Sequence, residues 1–124
     1  MAGRVVDASA AAMVLFGEPG AKKAAAALDG HELHAPSLLP YEVASVARKK
    51  ALAHPELAPG IFAAARRLEN LAIILLDVDA AEVARLAVRL DVSAYDAAYL
   101  WLADRLCMPL VSFDRRLLAA SRRA

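Results

Sequence analysis

Arg4-Val5-Val6-Asp7-Ala8-Ser9 opens the sequence with a brief β-branched run that an acid stops and a helix follows. A run of three residues is too short for a helix, and valine packs well on a pleated strand. From Ser9 to Phe16 the alanine-rich composition favours helix, and Gly17-Glu18-Pro19-Gly20 breaks it. The same unit recurs along the chain. Leu33-His34-Ala35 before Pro36, Ile73-Ile74-Leu75-Leu76 and Leu110-Val111-Ser112 read as further short strands. Helices are expected at Ala21 to Leu28, Tyr41 to Ala53, about Pro59 to Leu71, Ala80 to Leu90, Ala94 to Leu106, and from near Asp114. Short buried strands alternating with helices predict an α/β fold, with a central parallel sheet covered by helices on both faces. No internal repeat, low-complexity tract or linker interrupts the pattern, so residues 1–124 read as a single domain.

Composition narrows the function classes. Hydrophobic residues make up 60% and charged residues 23%, which excludes intrinsic disorder. Fifteen basic and 14 acidic residues leave a net charge of +1, too little for a protein driven to its partners by bulk positive charge. One cysteine, Cys107, excludes an intrachain disulfide framework and a Cys-rich zinc module. No apolar run approaches the roughly 20 residues of a membrane span. Arg4 followed by Ala8 to Phe16 could pass for a signal peptide, but Asp7 and the lack of a small-residue cleavage site argue against it. A cytoplasmic protein that does not engage a membrane is expected. The mean hydropathy of +0.42 is high for a small monomer and points to an oligomer with an apolar interface.

In a parallel sheet, ligands bind outside the carboxyl ends of the strands. Asp7 follows the first strand, and Asp114 follows the last by one residue. Glu42 begins the helix after the second strand, and Asp96 lies in the first turn of a helix behind Ser93. Each acid has an ordinary helix-start reading. Carboxylates suit the positive helix end, Asp7 and Asp114 are natural N-caps, and Ser93 with Asp96 has capping-box spacing. Jointly they say more. Several carboxylates in one crevice repel, and a hard divalent cation such as Mg²⁺ or Mn²⁺ relieves that repulsion.

Four segments carry a family resemblance: Val5-Val6-Asp7-Ala8-Ser9, Ala35-Pro36-Ser37-Leu38-Leu39-Pro40-Tyr41-Glu42-Val43, Ser93-Ala94-Tyr95-Asp96-Ala97-Ala98-Tyr99-Leu100 and Pro109-Leu110-Val111-Ser112-Phe113-Asp114-Arg115-Arg116-Leu117. In order and spacing they resemble PIN-domain ribonucleases of the VapC toxin type, over almost the whole chain. The resemblance implies a PIN-like three-layer sandwich with strand order 3-2-1-4-5. It also implies Mg²⁺- or Mn²⁺-dependent endonuclease action on RNA, by a metal-activated water that leaves a 5′-phosphate and a 3′-hydroxyl. Asp7, Glu42, Asp96 and Asp114 are its implied catalytic acids. Asp7 and Asp96 would chiefly hold the metal, with Glu42 and Asp114 completing the site directly or through water. Ser112 and Ser9 match supporting hydroxyl positions, and a plain helix-cap role for Ser9 stands beside that. Many relatives carry a further acid where Leu117 stands here, so one tight metal is expected rather than two. The implied partners are RNA, a second copy of the chain in a homodimer, and a VapB-type antitoxin. That antitoxin would be gripped by the helices Tyr41 to Ala53 and Pro59 to Leu71 through Leu52, Ile61, Phe62, Leu68 and Leu71, residues that could equally be core.

Other residues bear on the chemistry. Arg115, Arg116, Arg122 and Arg123 fit either phosphate contacts or a solvated helix end, and Arg48, Lys49 and Lys50 also lie within reach of RNA. His31, His34 and His54 lack metal-binding spacing and read as surface or loop residues, while Cys107 reads as a small buried hydrophobe. Tyr95 and Tyr99 share a helix face, with packing as the first reading and base stacking as the second. A receiver domain lacks its late lysine, a haloacid-dehalogenase phosphatase lacks its second aspartate at Ser9, and no phosphate loop exists. The remaining rival is a PIN-like module that binds RNA or protein without turnover.

Overall fold

Val5 and Val6 are wholly buried because β1 (Gly3–Val6) runs through the middle of the sheet. The computed structural model describes residues 2–124. After β1 come α1 (Ala8–Leu15), α2 (Ala21–Leu28), β2 (Glu32–Pro36), α3 (Leu39–Ala53), α4 (Ala58–Arg66), β3 (Ile74–Leu76), α5 (Ala80–Leu90), α6 (Ala94–Leu106), β4 (Leu110–Val111) and α7 (Arg115–Arg123). All strand pairs are parallel, in the order β3-β2-β1-β4. This is the expected α/β architecture and the first four places of the expected order. Among the described residues there is no fifth strand.

Topology places the helices. The chain steps outward from β1 to β2 to β3, then returns past β1 to β4. Right-handed crossovers put helices on one face during the outward steps and on the other during the return. Accordingly α1, α2, α3 and α4 pack among themselves, while α6 lies against β1, β2 and β4 with α5 behind it. The main core joins Val5, Leu39, Tyr99, Leu102, Val111 and Leu117, and a smaller cluster joins Val83 to Ala97 and Ala98. The reversal between β1 and β4 leaves a crevice outside their carboxyl ends.

Local departures from the expected elements have physical causes. α3 starts two residues early because Pro40 fits a first turn, where no N–H is needed. The helix expected to Leu71 ends at Arg66, and Arg67–Leu71 tighten into a 3-10 turn before Ala72 turns left-handed. β3 is an edge strand, so Ile74 and Leu75 stay exposed rather than buried. His34 is a correction: it is buried within β2, against Glu32 at 3.1 Å, and is not a surface or loop residue.

Cys107 is the other correction. It is exposed, because it occupies the left-handed position (φ 54°) that ends α6 and turns its side chain away from the core. An L-residue there costs about 1–2 kcal/mol that glycine avoids, against a smaller penalty from glycine's freer unfolded chain. Cys107→Gly is therefore expected to raise stability by up to about 1 kcal/mol, read as a higher urea midpoint at unchanged m-value. A lowered midpoint would show that the thiol makes a contact of its own.

Candidate functional site

Asp7 leaves β1 and caps α1. Its backbone N–H donates to the Val111 carbonyl of β4, which fixes the carboxylate at the chain reversal. The carboxylate is nearly buried, at 4% exposure, and is held from three sides. Oδ1 accepts from the Ser9 hydroxyl at 2.7 Å and the Ala10 N–H at 3.0 Å, while Oδ2 accepts from the Ser112 hydroxyl at 2.6 Å. A carboxylate oxygen has two lone pairs, so one on Oδ2 is free of these donors.

The two serines do more than hold Asp7. Ser9 Oγ accepts the Phe113 N–H at 2.9 Å and Ser112 Oγ accepts the Asp114 N–H at 3.0 Å, so both brace the turn between β4 and α7. That turn delivers Asp114, whose Oδ1 caps α7 by accepting from the N–H groups of Arg116 and Leu117. The helix-cap readings of Asp7 and Asp114 are thus correct as local structure, and they also orient both carboxylates. Leu117 is buried in the core at 1% exposure, and no acid stands in its place.

Asp96 sits in the first turn of α6, where the Ser93 hydroxyl accepts its N–H at 3.0 Å. Glu42 sits in the first turn of α3 and accepts the Tyr99 hydroxyl at 2.6 Å. Tyr99 is the residue that sequence reasoning missed. It lies in the main core at 2% exposure, and its hydroxyl reaches from α6 to orient a carboxylate on α3. A tyrosine one helical turn after Asp96 was the only available signal, and the packing reading concealed it.

Electrostatics tie the four acids together. Burial pushes the Asp7 carboxyl up, the Ser112, Ala10 and Ser9 hydrogen bonds oppose this, and Asp114 adds to it. Burial raises Glu42 against the Tyr99 hydrogen bond, with Asp96 and Asp7 pushing the same way as burial. Burial and then Asp114 raise Asp96, Arg116 opposes them, and Asp7 adds to the rise. Tyr99 is raised in turn, first by burial and then by its bond to Glu42.

These acids share one field without closing on one point. Among the described residues, no three His, Cys, Asp or Glu side chains are grouped tightly enough to surround a metal ion. The donor chemistry nevertheless fits a hard divalent cation: oxygen ligands only, an available lone pair on Asp7, and mutual repulsion for a cation to relieve.

Burial, with repulsion added to it, has a measurable consequence. Asp7, Glu42 and Asp96 hold protons more readily folded than unfolded, so their contribution to stability is present below the ordinary carboxylate range and is lost as pH rises through the raised values. Thermal melts of Asp96→Asn are expected to show a higher Tm than the parent at pH 7 and a gap that closes as the pH falls. A lower Tm at pH 7 would mean that attraction to Arg116 outweighs burial and repulsion together.

The basic residues divide. Arg115 and Arg116 are exposed in the first turn of α7 beside Asp114, and Arg116 acts electrostatically on Asp96. Arg123 donates to the Leu90 carbonyl at 3.0 Å, and Lys50 pairs with Glu18 at 2.8 Å, so both have structural work. Leu52 and Phe62 are exposed on α3 and α4, while Leu68 and Leu71 pack on the core and Ile61 is half-buried. Among the described residues no helix is long and apolar enough to cross a membrane.

Comparison with known proteins agrees with the architecture. The family described as PIN domain matches residues 4–123. The crystal structure of PAE2754 from Pyrobaculum aerophilum is similar at a TM-score of 0.79 and 25% identity, covering 99% of this chain and 89% of that one. A search of curated protein sequences returned no match.

Proposed function

Because the chain belongs to the PIN domain family, whose members are generally nucleases, we propose that it is a divalent-metal-dependent endoribonuclease of the VapC toxin type. The observation that carries this reading is the electrostatic coupling of Asp7, Glu42, Asp96 and Asp114 across the crevice where the sheet reverses. Asp7 and Asp96 would hold Mg²⁺ or Mn²⁺, with Glu42 and Asp114 contributing directly or through water. Such an ion lowers the pKa of a bound water and polarises a phosphate.

The chain's own residues supply the rest. Ser112 and Ser9 orient the Asp7 carboxylate and favour its ionised form against burial, and Tyr99 does the same for Glu42. Glu42 and Asp114 are the candidates to orient the attacking water or take its proton, since both sit at the edge of the crevice. Arg115 and Arg116 supply positive charge for the phosphate backbone beside an otherwise acidic site.

The toxin role extends this reading: action in the cytoplasm, a homodimer, and restraint by a VapB-type antitoxin. Exposed Leu52 on α3 and Phe62 on α4 support an apolar contact of this kind. A second reading is a PIN-like module that binds RNA or protein without cutting, and the lack of a tight ligand grouping among the described residues favours it.

Cleavage of structured RNA by purified protein separates the two. The nuclease reading expects cutting in Mg²⁺ or Mn²⁺ and none in chelator, with 5′-phosphate ends. RNA bound but left whole in both metals would favour the binding module.

A further inference from the structure

We propose that the cleft beside the acids is a nucleobase site, in which an unpaired base of the RNA stacks on Tyr41 and Tyr95 while Lys49 meets the strand's phosphate. The proposal rests on the ribonuclease reading and adds to it the residues that would hold an unpaired base. The cleft has a volume of about 760 Å³ and is lined by Ser9, Tyr41, Glu42, Lys49 and Tyr95 among others. It therefore includes Glu42 itself and adjoins Asp7 through Ser9.

Its two tyrosines are anomalous. Tyr99 is buried at 2%, whereas Tyr41 is 79% exposed and Tyr95 65% exposed. Neither exposed hydroxyl makes a hydrogen bond within the described chain, so core packing accounts for neither ring. Each ring directly precedes an acid in the first turn of a helix, Tyr41 before Glu42 on α3 and Tyr95 before Asp96 on α6. Two rings carried on the same two turns as the acids are set at the edge of the crevice by the same backbone.

Charge selects the occupant. Lys49 lies seven residues beyond Glu42, two turns and about 10 Å along the helix, and has no ion-pair partner among the described residues, unlike its neighbour Lys50. Aromatic faces with a free cation suit a base and its phosphate. An aliphatic helix docked here would meet Ala8, Leu38 and Val46, but it would also desolvate Glu42 and Lys49 without pairing them. A base stacked here would draw the adjoining phosphate toward the acids, and a paired base would have to leave its helix first.

The test measures binding of a fluorescent single-stranded RNA by anisotropy in the Asp96→Asn background, where repulsion is reduced and the proposed function expects no cutting. Tyr41→Ala and Tyr95→Ala should each weaken binding about tenfold, with phenylalanine restoring it. Lys49→Ala should lower the salt dependence by about one counterion, while the tyrosine changes leave it alone. A fully paired duplex should bind weakly and respond to neither tyrosine. Alanine variants that bind like the parent overturn the base site while leaving the nuclease reading standing. Alanine variants that turn a dimer into a monomer on size exclusion would assign the rings to an interface between copies, which also overturns it. No RNA binding by the parent overturns the site and the nuclease reading together.

Discussion

Asp96→Asn is expected to abolish RNA cleavage while leaving the protein folded and more heat-stable. Burial and repulsion from Asp114 and Asp7 raise the Asp96 carboxyl, and only Arg116 and the Ser93 hydroxyl favour its charge. Asparagine keeps the side chain's size, and the helix cap through the Asp96 N–H is untouched. What is lost is one negative oxygen donor. Even the outer partners of metal ligands cost about 10–100-fold when removed, so loss of a ligand should exceed about a hundredfold in cleavage. Metal binding should fall with it, seen as a smaller rise in Tm on adding Mn²⁺. The opposite signs are the discriminating feature. A residue kept for stability loses both properties on mutation, whereas an acid kept for chemistry loses activity and gains stability. Cleavage unchanged in the variant would remove Asp96 from the site and point to a contaminating nuclease.

Much of the fold was legible because it depends on local signals. Short runs ended by Asp7 or Pro36 mark strand ends, the first of them β-branched, and breakers such as Gly17 and Gly20 mark helix ends. Parallel pairing then follows from alternation, and the crevice follows from parallel pairing. The errors lie where tertiary position overrode residue type. His34 is polar, but the second strand of a covered parallel sheet buries both faces, so it is inside. Cys107 is apolar, but the left-handed turn that closes α6 carries it out.

The candidate site divides along the same line. Asp7, Glu42, Asp96 and Asp114 are each first-turn or cap residues, which makes their positions readable from spacing. Sequence gives no access to the partners those carboxylates find across the fold. Tyr99 lies 57 positions from Glu42, and Ser112 lies 105 from Asp7. Such pairs exist only once β4 has docked beside β1 and α6 has crossed the sheet. The family resemblance did point to Ser112, but only as a supporting hydroxyl. The geometry supports a more specific role, a donor to the buried carboxylate of Asp7.

That role predicts the behaviour of Ser112→Ala. Asp7 is nearly buried, and the Ser112 hydroxyl, at 2.6 Å, is the strongest of the groups that favour its ionised form. Deleting the hydroxyl removes that donor and also frees the Asp114 N–H it accepts, so both ends of the crevice loosen. The Asp7 carboxyl should rise further, and a proton should compete with a metal ion up to a higher pH. Metal affinity is expected to fall about 10–100-fold near neutrality, with part of the loss recovered as pH increases. Ser112→Thr keeps the hydroxyl and should retain most of the affinity, provided its extra methyl is accommodated beside Ser9. Ser9→Ala should do less harm, because Asp7 Oδ1 keeps the Ala10 N–H when Ser9 is gone, whereas Oδ2 has no other donor among the described residues. Titration of Mn²⁺ against the three variants at several pH values reads these effects directly. Equal losses at Ser9 and Ser112, or a loss at Ser112 that ignores pH, would mean that the serines merely hold the turn and do not control the charge of Asp7.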